Sequence, residues 1–263
     1  MLVSETKVAA ALASFTLVLL LTLYRWSLRE DYENTRLYLG RKVAWLVGSR
    51  LKERIGHVLY RMRLSVFEAG RLGIDLTKYH AMLVFIEDKR HFEHNGNSIK
   101  AAAAALYRRV RYGTRSGAST IHHQLVRSNF LKSIERPISR KIVEWIIAPW
   151  VNRMFSKSAI LDLYLCSVRY ERGVIGLPAA IRHFFPQHEL SKPLDIAQRF
   201  FLLERLSNVT GTFPKKRVEA LLRSLREKGL IESTDVAKIG RIYRDQGKAG
   251  RINLVGQDTV LRA

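Results

Sequence analysis

Two adjacent carboxylates follow an apolar segment in the first half of the chain. Residues 82–86 are apolar and lead directly into Glu87 and Asp88, after which come two basic side chains, two histidines and a glycine. A carboxylate at the end of an apolar element is partly desolvated, and desolvation raises its pKa toward the range of a general base. We therefore take Glu87 as the first catalytic candidate. The alternative is that the two acids form surface ion pairs with Lys89 and Arg90.

A second polar group lies further along the chain, where a helix is predicted to begin. Ser119 or Thr120 can cap this helix at its N-terminus. His123 and Arg127 are four residues apart on one helix face, with Gln124 beside them. An anionic oxygen near the start of the helix would therefore meet several donors. An ordinary capped amphipathic helix fits the same pattern.

A third group follows Pro137, which is typical of the first turn of a helix. Arg140 and Glu144 are four residues apart and could pair on the surface, which would contribute roughly 0.3–0.5 kcal/mol. Equally, Glu144 could be a second buried acid whose basic neighbours, Arg140 and Lys141, are aimed at a phosphate group. The spacing alone leaves both interpretations open.

The elements that must position these side chains are predicted to be helices. Residues 99–110 include a run of five alanines, which favours a helix. Apolar residues recur at three- and four-residue spacing within residues 31–64 and again after Pro214. Gly229 is a predicted C-cap, and Ser233 is predicted to start a last helix.

Composition restricts the class of partner. The chain has 263 residues, of which 47% are hydrophobic, so it can bury a substantial core. Forty-five Lys and Arg against 23 Asp and Glu give a net charge of +22, which favours a polyanionic partner: nucleic acid, an anionic membrane surface or a phosphate-bearing substrate. Cys166 is the single cysteine, which excludes an intrachain disulfide and a cysteine-based zinc cage.

The N-terminal region predicts a membrane anchor. Residues 8–24 carry no charge, and Tyr24 and Trp26 stand where interfacial aromatic residues belong. Because no small-residue cleavage motif follows, an uncleaved signal anchor fits better than a removed signal peptide. A buried core helix is the alternative. Basic residues after the span weakly favour a cytoplasmic body, but long domains are translocated despite such charge.

Five sequence segments, in this order, resemble the successive motifs of glycosyltransferase family 51, the peptidoglycan transglycosylase domain. They are EDKRHFEHNG, GASTIHHQL, RKIVE, SKSAILDLYL and GVIGLPAA. The resemblance covers residues 79–214, with a weaker match to residue 237. No penicillin-binding serine motif follows, so the resemblance implies a monofunctional, membrane-anchored form.

The resemblance implies a mainly α fold: a lysozyme-like, two-lobed transglycosylase domain with an N-terminal transmembrane helix. It also implies a location at the bacterial cytoplasmic (inner) membrane, single-pass, with the catalytic domain on the periplasmic side. The domain organisation that we predict is a short tail at 1–7, a transmembrane anchor at 8–26, a basic amphipathic membrane-proximal region at 27–78, a catalytic core at 79–214 and a helical extension at 215–263.

The implied reaction is the inverting polymerisation of lipid II into β-1,4-linked glycan. By position, Glu87 matches the family's general base, and Glu144 matches a second glutamate that assists at the donor or its leaving group. The implied substrate-binding residues are Asp88, Ser119, Thr120, Gln124, Arg127, Arg140 and Lys141, the basic ones at the lipid pyrophosphate. No metal ligand is assigned among the residues, and a divalent cation at the pyrophosphate is left open. Other cell-wall synthesis proteins are potential partners.

The sequence departs from the family at several motif positions. The family usually has Lys, Phe, Thr, Gln, an acid and Asn where this chain has, respectively, Arg127, His91, His122, His123, Asn152 and Cys166. Because both glutamates and the basic residues are present, an active but divergent enzyme is the favoured interpretation.

Three other functions remain open at this point. The first is a membrane-anchored binding protein that has the fold without turnover. The second is a metal site built from His91, His94, His122 and His123, although their spacing matches no established ligand motif. The third is a nucleic-acid binder, which the charge suggests but no reader motif supports. We expect no nucleic-acid partner, because an anchor beside anionic lipid accounts for the charge.

Overall fold

A computed structural model describes residues 51–112, 119–131, 137–206, 212–254 and 261 of the protein. This part of the chain is mainly helical, which confirms the predicted class. Its ten helices are α1 Ile55–Arg71, α2 Thr77–Glu87, α3 Ile99–Tyr112, α4 Ile121–Asn129, α5 Pro137–Met154, α6 Lys157–Ser167, α7 Leu177–Phe184, α8 Ile196–Arg205, α9 Lys215–Glu227 and α10 Ser233–Lys248.

Helix α6 occupies the middle of the core. It packs against α1, α2, α4 and α7, and α4 in turn packs against α5. The reason lies in its sequence, because Ile160, Leu161 and Leu165 of α6 are all fully buried. Helix α8 extends the same core by packing against α2 and α10. The elements that carry the candidate site residues therefore share one hydrophobic core.

A short antiparallel hairpin follows α6. Strands β1 (Arg169–Glu171) and β2 (Val174–Ile175) pair Arg169 with Ile175 and Glu171 with Val174. The chain then turns into α7 at Gly176, which has φ +82°. A Cβ atom at this position would lie 2.4 Å from the carbonyl oxygen of Cys166. Only glycine combines this backbone angle with so close an approach.

Pro149 lies inside α5 and interrupts its hydrogen bonding. Proline has no amide hydrogen, so the carbonyl of Trp145, four residues earlier, loses its usual helical partner. The side chain of Asn97 replaces that partner, because its Nδ2 donates to the Trp145 carbonyl over 2.9 Å. The interruption in α5 thus gives the loop between α2 and α3 a fixed attachment point.

Gly96 brings that loop against α5 at the same place. Its φ is +94°, and a Cβ atom there would lie 2.6 Å from the Ala148 carbonyl oxygen. The carbonyl of Gly96 accepts a hydrogen bond of 2.7 Å from the Thr120 hydroxyl. The loop that follows Glu87 is therefore held between the start of α4 and the proline in α5.

Several predicted helix boundaries are confirmed. Thr120 is the N-cap of α4, α5 begins at Pro137 and α10 begins at Ser233. Helix α9 ends at Glu227 with Lys228 as its C-cap, so the predicted cap residue, Gly229, lies one residue beyond the observed cap, with φ +66°. No helix in the described residues is both long enough and apolar enough to cross a membrane. The predicted anchor at 8–26 lies outside the described residues.

Candidate active site

Glu87 is the last residue of α2, and its side chain is only 4% exposed. Its Oε2 accepts a hydrogen bond of 2.9 Å from Nε2 of Gln124 in α4. The side-chain amide oxygen of Gln124, Oε1, accepts in turn from the hydroxyl of Tyr164 in α6, over 2.7 Å. Burial raises the pKa of Tyr164 well above its usual value, and the nearby Glu87 charge raises it further, so the hydroxyl stays a donor.

The second carboxylate oxygen of Glu87 has a different environment. Oε1 is buried and accepts no hydrogen bond from the described residues. A cation, Arg217, lies nearby: its Nη2 is 3.9 Å from Oε1 and its side chain is 40% exposed. Glu87 therefore has one oxygen fixed by the protein and one buried oxygen without a hydrogen-bond partner in the described residues. The alternative, a surface ion pair with Lys89 or Arg90, is wrong, since Lys89 lies over the ring of Phe85 and Arg90 pairs with Glu93.

Asp88 turns away from Glu87 toward the start of α4. Its Oδ2 accepts from the backbone amide of Ile121 over 3.2 Å and contacts Nε2 of His94 at 2.9 Å. Burial acts to raise the pKa of Asp88, but the His94 hydrogen bond and charge, together with the Ile121 amide, hold it below its usual value. The anion at the N-terminus of α4 is thus the protein's own carboxylate.

Thr120 and His123 form a reciprocal cap at the start of α4. The Thr120 hydroxyl accepts from the His123 amide, and Nδ1 of His123 accepts from the Thr120 amide. Nε2 of His123 therefore carries the proton and donates to Oδ1 of Asn97 over 2.7 Å. His123 is fully buried and stacks on Trp145. The prediction that His123 faces an anion together with Arg127 is wrong, because its ring lies in the interior.

Glu144 is fully buried beneath three partly exposed cations. Lys141 Nζ donates to Oε2 over 2.7 Å, and Nε atoms of Arg140 and Arg127 lie 3.4 and 4.0 Å from Oε1. Lys141 also donates to the hydroxyl of Ser119 over 2.7 Å. We call these three basic residues the cation cluster. Each of the two interpretations of this spacing is correct in part. Arg140 and Glu144 do pair, as the first predicts, but Glu144 is buried, as the second predicts.

Helix α4 connects the two parts of the site. Gln124 contacts Glu87, and Arg127, three residues later on the same helix, contacts Glu144. Residues three apart lie on neighbouring positions of a helix surface. A buried carboxylate and a cluster of positive charge therefore flank one short helix. This arrangement suits a ligand with a hydroxyl at one end and an anionic group at the other.

Four of the six altered motif positions are buried: His91, His122, His123 and Cys166. His91 and His122 are fully buried, and their ring centroids lie 5.1 Å apart. His122 contacts Asn152, with 3.1 Å between Nε2 and Oδ1. Burial and the nearby Asp162 raise the pKa of the Cys166 thiol to about 12. These four side chains therefore lie in the interior, whereas Arg127 is partly exposed and belongs to the cation cluster.

Three contributors to the site were missed in the sequence. Tyr164 orients Gln124, Asn97 links His123 to α5, and Arg217 approaches Glu87 from α9. Tyr164 stands in the segment SKSAILDLYL, where its burial one helix turn after Leu161 gave no sign of a polar role. Arg217 stands in a basic run that looked like a solvated helix face.

The family match covers most of this arrangement. A family model described as Transglycosylase matches residues 76–231, which include every predicted site residue. The chain belongs to this transglycosylase family. Its described relatives include penicillin-binding protein 1F of Bacillus subtilis, which is 29% identical over 161 residues, or 58% of this chain and 22% of that protein.

Two further transglycosylase relatives are shorter proteins. The biosynthetic peptidoglycan transglycosylase of Nitrosomonas eutropha is 35% identical over 104 residues, or 39% of this chain and 42% of that protein. The protein of the same name from Pseudomonas savastanoi pv. phaseolicola is 34% identical over 122 residues, or 46% of this chain and 50% of that protein. The matched part thus spans half or less of these relatives' own lengths.

Proposed function

We propose that this protein is a peptidoglycan glycosyltransferase that polymerises lipid II into β-1,4-linked glycan with inversion at the anomeric carbon. The observation that carries the proposal is Glu87, a buried carboxylate with one oxygen held by Gln124 and the other free of hydrogen bonds within the described residues. Membership of the transglycosylase family supports the class of reaction, and two relatives are named biosynthetic peptidoglycan transglycosylases.

In the proposed reaction Glu87 acts as the general base. Its Oε1 takes the proton from the 4-hydroxyl of the acceptor sugar while that oxygen attacks the anomeric carbon of the donor. The bond to the lipid pyrophosphate breaks on the opposite side, which inverts the configuration. The hydrogen bond from Gln124 keeps the other carboxylate oxygen in place, so the base does not have to reorient during the reaction.

The cation cluster is proposed to bind the lipid pyrophosphate. Arg127, Arg140 and Lys141 are each about a third exposed, whereas Glu144 is fully buried. Three cations over one carboxylate leave an excess of positive charge facing solvent, which stabilises negative charge that grows on the leaving group. We assign Glu144 to positioning these cations, because its own oxygens lie beneath them.

This cluster does not fit a divalent cation on its own. The carboxylate beside it is Glu144, and the three basic groups of the cluster already surround that carboxylate. A metal ion prefers several oxygen ligands without competing positive charge. In the proposed reaction the three basic side chains, and not a metal ion, therefore face the pyrophosphate.

We also propose that the protein acts at the outer face of the cytoplasmic membrane. Helix α1 supports this, because Tyr60, Leu64 and Phe67 are exposed by 70, 48 and 69% and recur at spacings of four and three residues. That spacing places them on one helix face. An exposed apolar face on a chain with a charge of +22 suits contact with anionic lipid.

A binding protein that has the fold without turnover is the second candidate. The buried departures from the family motifs favour it, since two of them, His91 and His122, are fully buried with their rings 5.1 Å apart. Such a protein would bind lipid-linked glycan through the cation cluster and release it unchanged.

Polymerisation of lipid II by the purified full-length protein, in detergent and in liposomes, tests between the two candidates. We expect glycan strands from the wild type and a loss of roughly 10²- to 10⁴-fold in rate for Glu87→Gln, the range for a positioned acid or base. Glu93→Gln is the control, because Glu93 pairs only with Arg90 at the exposed surface among the contacts described. No product from the wild type under any condition would favour the binding protein.

A reporter that is active only in the periplasm, fused to the C-terminus, tests the proposed location. We expect activity from this fusion and none from a matched reporter that is active only in the cytoplasm. The opposite result would contradict the location and also the access to translocated lipid II.

A further inference from the structure

Behind the site, a carboxylate and two imidazoles come together in the interior. One ligand atom from each of Asp88, His94 and His122 lies within 4.8 Å of those of the other two. The side chains of Asp88 and His94 are 8% exposed, and His122 is fully buried. We infer that Asp88, His94 and His122 form a binding site for a divalent transition metal ion such as zinc. This inference does not rest on the proposed glycosyl transfer.

His122 is already oriented as a metal ligand. Its Nε2 lies 3.1 Å from Oδ1 of Asn152, an acceptor, so the proton belongs on Nε2. Nδ1 then bears a lone pair, and it is buried without a hydrogen-bond partner in the described residues. A metal-binding histidine normally donates its other ring hydrogen to an oxygen in this way.

His91 has the same arrangement next to it. Its Nε2 lies 3.1 Å from the carbonyl oxygen of Lys157, which leaves Nδ1 with a lone pair, also buried and also without a partner among the described residues. The His91 and His122 ring centroids are 5.1 Å apart. Two unsatisfied imidazole nitrogens in one interior need an explanation, because buried polar atoms are usually paired. A metal ion held by Nδ1 of His122 would satisfy one of them, whereas His91 lies outside the three-residue group.

Asp88 and His94 supply the remaining ligand atoms. Nε2 of His94 lies 2.9 Å from Oδ2 of Asp88, and Nδ1 of His94 accepts from the Gly96 amide. A metal ion would replace the proton between the two side chains. His94 would then carry its proton on Nδ1, and the Gly96 amide would have to find another acceptor. One backbone hydrogen bond is a small loss beside three metal–ligand bonds.

The donor set selects the type of metal. Two imidazoles and one carboxylate match the ligands of zinc, whereas magnesium and calcium prefer oxygen donors throughout. Ligand atoms around tetrahedral zinc lie about 3.3 Å apart, so a pair as far apart as 4.8 Å must close by about 1.5 Å, while Asp88 Oδ2 and His94 Nε2, at 2.9 Å, must separate slightly. Side-chain rotation can provide that movement.

The charges around Asp88, His94 and His122 both favour and oppose the binding of a metal ion. Burial lowers the pKa of His91 to about 4, and burial together with Lys157 lowers that of His122 well below its usual value, so both imidazoles are neutral at pH 7. Asp88 supplies negative charge. The Lys157 amine donates to the His94 carbonyl and is the nearby positive charge that opposes a metal ion, although burial lowers its pKa to about 8.

A metal at this position would join three pieces of the chain. Asp88 follows Glu87 at the end of α2, His94 lies in the loop that packs on α5, and His122 lies in the first turn of α4. The ion would cross-link the end of α2 to the start of α4. These are the two elements whose relative position sets the contact between Glu87 and Gln124.

Metal retention by the untagged full-length protein tests the site. Protein stripped with a chelator is incubated with Zn²⁺, freed of excess metal by gel filtration and subjected to elemental analysis. We expect one equivalent of zinc per chain and a rise of several degrees in Tm that the chelator reverses. Co²⁺ in place of Zn²⁺ should give the strong visible absorption of a tetrahedral site.

His122→Gln and His94→Gln should each abolish both signals. His80→Gln is the matched control, because His80 pairs with Asp162 at 2.8 Å in the same way as His94 with Asp88 but is in no three-ligand group within the described residues. Lys157→Met should tighten zinc binding by removing the opposing charge.

No retained zinc in the wild type, or equal retention by folded His122→Gln, would overturn the inference. Because variants of a fully buried histidine can fail to fold, the Co²⁺ spectrum of the wild type is an independent measure, and an octahedral spectrum or none would also overturn it. These readouts do not depend on glycan synthesis, so failure of the metal site leaves the proposed function standing.

Discussion

The hydroxyl of Tyr164 donates a 2.7 Å hydrogen bond to the side-chain oxygen of Gln124. An amide held by its oxygen presents its nitrogen on the other side, and there Gln124 donates to Glu87 over 2.9 Å. A buried phenol in α6 therefore determines the orientation of the carboxylate at the end of α2. The base in the proposed reaction depends on a residue that does not contact it by any hydrogen bond described.

Tyr164→Phe should remove this orientation while keeping the ring in the core. We expect a loss of about 1 kcal/mol in the free energy of unfolding, the usual contribution of one hydrogen bond, and a roughly tenfold drop in kcat. Steady-state kinetics and urea denaturation measure the two effects. Tyr170→Phe is the control, since its hydroxyl is also buried but donates to the Leu165 carbonyl. Equal loss of kcat in both variants would contradict the role of Tyr164.

Glu144→Gln distinguishes a positioning role from direct action at the leaving group. Without the buried charge, Arg127, Arg140 and Lys141 repel one another and lose their common partner. We expect KM for lipid II to rise by roughly an order of magnitude, with a smaller change in kcat. Lys141→Gln should behave similarly because it breaks the 2.7 Å pair with Glu144. A fall in kcat at constant KM would instead assign Glu144 to the chemical step.

His123 should make the protein sensitive to mild acid. Burial, with Lys141 as the next contribution, lowers the pKa of His123 from 6.5 to about 3 in the folded protein. Between these values the unfolded chain binds a proton that the folded protein does not. Stability is therefore lost as pH falls from about 6.5 toward 3, by at most roughly 1.4 kcal/mol per pH unit from this residue.

Urea denaturation at about pH 7 and pH 5, with a chelator present, measures this dependence. His123→Gln should fold, because glutamine at this position can also close the cap with Thr120. The substitution should make the free energy of unfolding fall less between about pH 7 and pH 5, by up to the amount that the titration of one histidine contributes. An unchanged dependence would show that His123 is not the group that titrates.

Gly96→Ala should displace the loop that follows Glu87. An added Cβ would lie 2.6 Å from the Ala148 carbonyl oxygen, at a backbone φ of +94°. We expect a loss of roughly 3 kcal/mol or more in unfolding free energy, from the strained backbone and the overlap together. Gly173→Ala separates the two causes, because Gly173 also has positive φ but open space around it. Similar thermal denaturation of both variants would contradict the close contact.

Helix positions were predictable because they depend on local sequence. Thr120 caps α4 and Pro137 begins α5 as their residue types predict. Membership of the transglycosylase family followed from the order of the motifs, and the match to residues 76–231 confirms it. The predicted roles of the individual site residues stay predictions.

What the sequence did not reveal depends on contacts between distant segments. Tyr164 is forty residues from Gln124, and no periodicity indicates that its hydroxyl would meet that amide. Asn97 compensates for Pro149 only because the loop and α5 meet in space. Of the four histidines considered as a metal site, His123 caps α4, whereas His91, His94 and His122 lie near Asp88. His122 and His123 differ in this way because adjacent side chains on a helix point in different directions.

Cys166 gives the protein a practical property. It is the single cysteine of the chain, it is buried, and its pKa is raised to about 12, so thiol reagents should not react with it in the native state. A cysteine introduced at Phe67 on the exposed face of α1 would then be the one reactive thiol. An environment-sensitive fluorophore attached there would report directly, through its emission colour, whether α1 enters lipid.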